Sequence, residues 1–135
     1  MVFAGRDPSM SDTKESEQFE RGIAHFNSGE FFQAHEVWEE LWLRATGTEK
    51  PFLRGIIQVA AAFHHFKRRN VTGAKSLLAA GLAKLSKYAD KHRGIDVFCL
   101  REDIERWLVI LQSAETLRDP KFPRIHEVNR PATEP

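Results

Sequence analysis

The sequence has few of the features that define several large protein classes. It contains a single cysteine, Cys99, among 135 residues, which excludes an internal disulfide framework and a cysteine-based zinc finger. No apolar run approaches the roughly 18 residues that a membrane span requires, and the N-terminus lacks the apolar core of a signal peptide. The 20 lysines and arginines are balanced by 19 aspartates and glutamates, which argues against a uniformly basic nucleic-acid-binding protein. We therefore expect a soluble, cytoplasmic, single-domain protein without a membrane partner.

Charge is distributed unevenly along the chain. Residues 1–49 carry a net charge of −6, residues 50–93 one of +9 and residues 94–135 one of −2. Such asymmetry either attracts an anionic partner or pairs acidic and basic regions within the fold or across a dimer. No aromatic residues that could stack on bases interleave with the densest basic cluster, so we expect a solvated or internally paired face. Anion or nucleic-acid binding there is a weaker alternative. The basic residues concerned are Lys67, Arg68, Arg69, Lys75, Lys84, Lys87 and Lys91.

Apolar residues recur at intervals of three and four residues in five stretches of the chain, which is the period of an amphipathic helix. No stretch alternates apolar and polar residues as a half-buried strand does. The sequence therefore predicts an all-α fold, a compact bundle of about five helices. We expect disorder for residues 1–11, a single helical domain for residues 12–118, and an extended or disordered tail for residues 119–135. The residues that separate or cap the helices are Gly29, Gly47, Thr48, Asn70, Gly94 and Asp96.

A weak internal repeat relates the first two pairs of predicted helices. Ala34 and Ala74 lie 40 residues apart, as do the dipeptides His25-Phe26 and His65-Phe66. In each copy, a helix that ends in His-Phe is followed by a short turn and then by a helix that bears the alanine. The repeat predicts two stacked helical hairpins plus a closing helix, similar to tetratricopeptide units but without their period or signature.

Polar residues share a helix face with large aromatic residues on the second predicted helix. At 100° per residue, His35 falls in the same sector as Trp38 and Trp42. Glu39 lies one turn beyond His35, and Glu36 is further round the helix. Because an unpaired carboxylate would be costly to bury, these groups need partners.

The third predicted helix offers those partners. Arg54, Gln58, Ala61 and His65 form one stripe, and the small Ala61 permits close approach of another helix. His64 faces the opposite shoulder, so we expect Gln58 with His65 or His64 to face His35 and Glu39. The residues predicted to line this pocket are His35, Glu36, Glu39, Gln58, His65, Trp38, Trp42 and Arg54.

Three interpretations of this cluster are open from the residues alone. It is a structural hydrogen-bonded network, a metal site, or a metal-free site for acid/base chemistry or ligand recognition. The i,i+4 spacing of His35 and Glu39, with His65 added, suits a divalent metal such as Zn, Fe or Mn. The segment HEVWE is not the HExxH of a metalloprotease helix, however, and the two Glu-x-x-His elements of a di-iron bundle are missing.

The segments NSGEFFQAHEVWEELW and FLRGIIQVAAAFHHFKRRNVTGAKSLL resemble a family catalogued as domain of unknown function number 309, over about residues 18–112. The resemblance implies an all-α fold of about five helices and an intracellular protein, and it implies no established activity. It points to the same set of His35, Glu36, Glu39, Gln58 and His65. Arg69 stands where a glycine often precedes the asparagine, which predicts a different turn before Asn70.

We expect a binding site for a divalent metal or a small ligand between the second and third helices, with hydrolase activity as a function to test. The alternative is a non-catalytic helical interaction module in which the His/Glu network is structural. The sequence assigns no catalytic residue. The apolar pair Val109-Ile110 on the fifth predicted helix suggests a homodimer contact.

Overall fold

The structure, a computed structural model, describes residues 8–113 and 120–128. Five helices account for most of the described chain, which confirms the predicted all-α bundle. The predicted disordered N-terminus and extended or disordered tail fall partly on residues 1–7, 119 and 129–135, which lie outside the described residues, as do residues 114–118 of the predicted helical domain. Helix α1 begins at Pro8. None of the described helices is long and apolar enough to cross a membrane. The helices are α1 (Pro8–Asn27), α2 (Phe31–Arg44), α3 (Glu49–Lys67), α4 (Val71–Leu85) and α5 (Val97–Gln112).

The helix α3 lies at the centre of the bundle and packs against both α2 and α4. It buries residues on most sides of its axis, as its nearly continuous apolar sequence predicts. Two glycines bring α3 and α4 close together. A Cβ atom placed on Gly81 would lie 2.9 Å from the carbonyl oxygen of Gly55 and 2.8 Å from Cγ2 of Val59.

The indole of Trp38 lies in the core between α1 and α2. Its side chain is fully buried, and Nε1 donates a hydrogen bond to the carbonyl oxygen of Phe19 at 3.1 Å. A Cβ atom on Gly22 would collide with this indole. Trp38, which the sequence assigned to the pocket, is therefore a core residue that fixes α2 against α1.

The turns that follow α1 and α3 have the same backbone geometry. The amide of Glu30 donates to His25 O at 2.8 Å and that of Gly29 donates to Phe26 O at 3.0 Å. Forty residues on, Asn70 donates to His65 O at 2.8 Å and Arg69 donates to Phe66 O at 2.9 Å. Both pairs form the hydrogen-bond pattern of a Schellman motif.

The residue in the left-handed position of that motif is Gly29 (φ 77°) in the first turn and Arg69 (φ 65°) in the second. The prediction of a different turn before Asn70 is therefore wrong. The Schellman hydrogen bonds hold Arg69 in a conformation that glycine adopts at lower cost. The predicted repeat of two helical hairpins is present, and the turns of its two copies have the same backbone hydrogen bonds.

A short antiparallel hairpin joins α4 to α5, and the sequence did not predict it. Its strands are β1 (Lys91–His92) and β2 (Ile95–Asp96). Arg93 and Gly94 form the turn, both with positive φ (52° and 77°), as a two-residue hairpin turn of type I′ requires. Strands of two residues are too short to produce a recognisable alternation.

Residues 120–128, hereafter the strap, run in extended form across the bundle without forming a helix. Asn27 binds both backbone groups of Ile125, with Nδ2 donating to Ile125 O at 3.0 Å and Oδ1 accepting from Ile125 N at 2.7 Å. The ring of Phe122 stacks on Trp107 at an interplanar angle of 3°. The strap thus connects α1, α5 and the hairpin.

Candidate functional site

The predicted polar cluster lies along the contact between α2 and α3, here called the α2–α3 seam. Its members are Phe32, His35, Glu39 and Trp42 on α2 and Arg54, Gln58 and His64 on α3. The ring centroids of Phe32 and His64 lie 5.4 Å apart at one end. At the other end, the guanidinium of Arg54 lies 5.1 Å from the ring centroid of Trp42 and 3.7 Å from the carboxylate of Glu39. These contacts show that α2 and α3 run antiparallel along the seam. His35 lies one turn before Glu39 on α2, and Gln58 lies one turn after Arg54 on α3, so both lie next to the Glu39–Arg54 contact.

His35 and Glu39 form an imidazole–carboxylate pair on successive turns of α2. Nε2 of His35 lies 3.3 Å from Oε1 of Glu39. The contact is an ion pair of residues one helical turn apart, and the two charges attract when the imidazole is protonated. The imidazole also lies nearly parallel to the ring of Phe32, with centroids 6.4 Å apart and an interplanar angle of 11°. Glu39 and Phe32 thus both border the imidazole of His35.

The other nitrogen of His35 has no partner. His35 Nδ1 and Gln58 Oε1 are both buried side-chain atoms without a hydrogen bond among the described residues. Gln58 Oε1 is a hydrogen-bond acceptor, and His35 Nδ1 is an acceptor or a donor according to the tautomer of the ring. An unsatisfied buried polar group costs roughly 1–3 kcal/mol. Two such atoms make this part of the seam less stable than a fully hydrogen-bonded one.

Arg54 borders the seam on its solvent side. It pairs with Glu39, and its side chain and that of Glu39 are 40% and 38% exposed. Ion pairs at this exposure are screened by water and contribute little to stability. Arg54 therefore covers the seam without being fixed to it, and Phe32 at the other end is 49% exposed.

His65 does not join His35, although the sequence assigned it to the pocket and to the metal set. It lies in the last turn of α3, where its Nδ1 is 3.1 Å from Nδ2 of Asn70 in the following turn. In the described part of the chain, no group of three or more His, Cys, Asp or Glu side chains could hold a metal ion. The predicted metal set of His35, Glu39 and His65 is thus not assembled. The Schellman turn directs His65 towards the α3–α4 connection.

His64 is the imidazole that reaches the seam instead. The contact with α2 shifts around α3 from Arg54 to His64 along its length, as expected of helices that cross at an angle. Burial is the largest cause that lowers the pKa of His64. The positive charges of Arg68, His65, His35 and Lys67 lower this pKa further. This histidine is therefore biased towards the neutral form. The sequence could have indicated that His64 reaches the seam, because residues 32 and 64 are paired by the same antiparallel register as residues 42 and 54.

The remaining predicted residues lie at the edges of the site. Glu36 is exposed on α2, and Trp42 is partly buried against the core with the ammonium of Lys50 4.4 Å from its ring centroid. The structure brings together His35, Glu39, Gln58, Arg54 and Trp42. It places Trp38 in the core and His65 in the neighbouring turn.

Two other candidates from the sequence occupy identifiable positions. Lys67 donates to the carbonyl oxygen of Gly29 at 3.0 Å, so one of the clustered basic residues is used to join the two turns. Cys99 lies in the first turn of α5, where its side-chain hydrogen bond with Asp96 raises the pKa of the thiol, aided by burial and neighbouring carboxylates. A thiol with a raised pKa is a poor nucleophile at neutral pH.

The chemistry of the seam is that of hydrogen bonding and proton transfer. A His–Glu pair with a free Nδ1 can accept a hydrogen bond or a proton, and Gln58 can accept a hydrogen bond only at its oxygen. Both atoms have almost no exposed surface, so a ligand reaches them when the bordering side chains move.

Comparison with known proteins agrees with the resemblance noted above. The model of the family "Domain of unknown function (DUF309)" matches residues 19–77. An uncharacterized protein of Aquifex aeolicus is 31% identical over 97 residues, which is 71% of this chain and 29% of that protein. The uncharacterized protein YpuF of Bacillus subtilis is 34% identical over 85 residues, which is 62% of this chain and 46% of YpuF. The chain thus spans less than half the length of these two relatives.

Proposed function

We propose, for a chain whose residues 19–77 carry a domain of the DUF309 family, that the α2–α3 seam binds a small polar ligand without a metal. One observation carries the proposal: two buried side-chain atoms of the seam, His35 Nδ1 and Gln58 Oε1, have no hydrogen-bond partner among the described residues. A structural network would satisfy its members, because only a fully bonded network stabilises a core. Unpaired buried groups are instead typical of a site that a ligand completes.

The ligand has to supply hydrogen-bond donors. In the tautomer that carries its hydrogen on Nε2, next to Glu39, His35 presents an acceptor at Nδ1, as Gln58 does at Oε1. A small molecule with an ammonium or hydroxyl group satisfies both. It enters where Phe32 and Arg54, about half exposed, move away from the seam.

The proposal is tested by titrating the isotope-labelled protein with ethanolamine and following the His35 ring resonances by NMR. Ethanolamine carries an ammonium and a hydroxyl group, and sodium acetate at equal ionic strength serves as the acceptor-only control. We expect a saturable shift with ethanolamine and none with acetate. Absence of a saturable ethanolamine shift contradicts the proposal.

Variants separate a binding site from a structural network. Gln58→Met removes the unpaired acceptor at similar side-chain length, and Gln33→Met makes the same change at an exposed position of α2 outside the seam. We expect Gln58→Met to abolish the ethanolamine shift while the free energy of unfolding stays unchanged or rises, because an unpaired buried oxygen is removed. We expect Gln33→Met to bind as the original chain does. A loss of about 1–3 kcal/mol in Gln58→Met would instead show that its amide is bonded within a structural network.

A further inference from the structure

A cavity lies between α5 and the strap, on a different part of the molecule from the α2–α3 seam. Its volume is about 360 Å³, within the range of roughly 300–1,000 Å³ found for small-molecule sites. Residues of α5 form one wall and residues 121–124 with His126 form the other. We call this cavity the α5–strap groove.

The groove collects positive charge. Among the described residues, Arg106, Lys121, Arg124 and His126 line it together with one carboxylate, that of Asp103. Arg106 pairs with Asp103, so no carboxylate in the described lining offsets the charges of Lys121 and Arg124. This concentration is local, because residues 94–135 as a whole carry a net charge of −2. A concave surface with charge of one sign concentrates ions of the opposite sign.

An aromatic pair forms part of the same lining. The buried Trp107 lies beneath Phe122, with ring centroids 5.4 Å apart, and the partly exposed Phe122 and Ile110 supply the accessible apolar surface. The groove therefore combines an apolar, flat surface with cationic side chains, a combination that suits an anion attached to a planar apolar group.

The backbone that carries these cations is held in place before any ligand arrives. Trp107 Nε1 donates to the carbonyl oxygen of Lys121 at 3.3 Å, and Arg124 donates to the carbonyl oxygen of Asn27 at 3.3 Å. The carbonyl oxygen of His126 accepts from the amide of Asp96 at 2.8 Å. Binding then requires little ordering of the strap, which lowers its entropic cost.

We infer that the α5–strap groove binds a small organic anion with a flat apolar body, such as an aromatic carboxylate or an aromatic phosphate monoester. Lys121 and Arg124 bind the anionic group, and Phe122 with Ile110 contacts the ring. The inference is independent of the ligand of the α2–α3 seam, because the two sites share none of these residues.

The experiment follows the indole N–H resonance of Trp107 in the full chain during titration with sodium benzoate and with phenyl phosphate. Benzyl alcohol supplies the ring without the charge, inorganic phosphate the charge without the ring, and sodium chloride controls for ionic strength. We expect saturable shifts with benzoate and phenyl phosphate, and binding at least about tenfold weaker with benzyl alcohol and with inorganic phosphate. The tighter of the two organic anions identifies a carboxylate or a phosphate as the preferred head group.

The variant Lys121→Gln/Arg124→Gln raises the Kd for the organic anion at least about tenfold. Lys121→Gln alone, which preserves the contact of Arg124 with Asn27, raises it by a smaller factor. Lys84→Gln/Lys87→Gln removes two cations outside the groove and leaves the Kd within about twofold. Equal Kd values in the groove variant and the control variant overturn the inference, as does equal affinity for benzyl alcohol or a shift that sodium chloride reproduces.

Discussion

Arg69 occupies the backbone position in the α3–α4 turn that Gly29 occupies in the α1–α2 turn. Both residues adopt the left-handed backbone conformation. The residue after each donates its amide to a histidine carbonyl at the same distance of 2.8 Å. The two turns are thus copies of one another in geometry, although only one has the residue that this geometry favours.

We expect Arg69→Gly to stabilise the protein. A left-handed conformation costs a residue with a Cβ atom about 1–2 kcal/mol, and the greater freedom of glycine in the unfolded chain offsets part of that gain. The expected net increase in the free energy of unfolding is about 0.5–1 kcal/mol, measured by urea denaturation. A decrease would show that the Arg69 side chain contributes more than its backbone costs.

The reciprocal change provides the control at the first turn. A Cβ atom at Gly29 meets nothing closer than Nζ of Lys67 at 3.9 Å, so Gly29→Ala tests conformation without a steric clash. We expect it to lower the free energy of unfolding by about 1 kcal/mol. Equal effects of opposite sign at the two positions would establish that the turns are energetically equivalent.

Gly81→Ala tests the close contact between α3 and α4. The added Cβ would lie within 3 Å of a backbone oxygen of Gly55, which cannot rotate away. We expect a net loss of about 1–2 kcal/mol, since overpacking outweighs the improved helix propensity of alanine. At Gly55, the nearest atoms belong to the side chains of Lys84 and Leu85 at 3.2–3.3 Å. Gly55→Ala should therefore cost less in the same denaturation experiment, and the reverse order would contradict the described packing.

Asn27→Ala removes both hydrogen bonds to Ile125 and leaves a partly buried backbone amide and carbonyl without partners. We expect a loss of about 2 kcal/mol. Hydrogen exchange should show faster exchange of the Ile125 amide in the variant, whereas exchange in the centre of α3 follows the global stability. Unchanged exchange at Ile125 would mean that Asn27 does not hold the strap.

The cap of α5 introduces a pH-dependent contribution to stability. The amide of Cys99 donates to the carboxylate of Asp96, which lowers the pKa of that carboxyl below its ordinary value of 3.8. A lowered pKa means that the stabilising contribution is present above pH 3.8 and is lost as the pH falls through the lower folded-state value. Asp96→Asn keeps a capping side chain without a titrating group. We expect the original chain to lose stability relative to this variant between about pH 5 and pH 2, and parallel curves would rule out the linkage.

Four of the five helices could be predicted because each one buries a stripe that repeats with the helical period, and α3 because its sequence is nearly continuously apolar. The predicted stripe of α5, for instance, contains Leu100, Ile104 and Trp107, all of which are buried. Asn70 and Asp96 were also predicted as caps, and both accept a hydrogen bond from the amide three residues on. Thr48 is at the N-cap position of α3 but makes no capping hydrogen bond with its side chain.

The strap contacts could not be predicted from any local pattern. The bonds between Asn27 and Ile125 join residues 98 positions apart, and residues 120–128 have no period that would reveal a buried face. The β1–β2 hairpin was missed because each strand has only two residues. Its turn contains Arg93 at positive φ, where sequence reasoning would expect asparagine or glycine.

The site was predicted where one helix determined the geometry and missed where two helices had to be combined. The pairing of His35 with Glu39 follows from i,i+4 spacing alone. The choice between His64 and His65 depends on how α2 crosses α3 and on the hydrogen bond of His65 in the next turn. Neither the crossing of the two helices nor that hydrogen bond can be predicted from the period of a single helix.

The attachment of the strap at Asn27 has a consequence for the order in which a new chain matures. All five helices precede residues 120–128 in the chain, so α1–α4 can pack while α5 and Phe122 are still inside the ribosome and the place of Phe122 beside Phe63 is vacant. During that interval the nascent protein presents an aromatic trough to its surroundings, which is the kind of surface that promotes aggregation and recruits chaperones. Arrival of Phe122 closes the trough, so a segment that forms no helix completes the maturation of a helical protein.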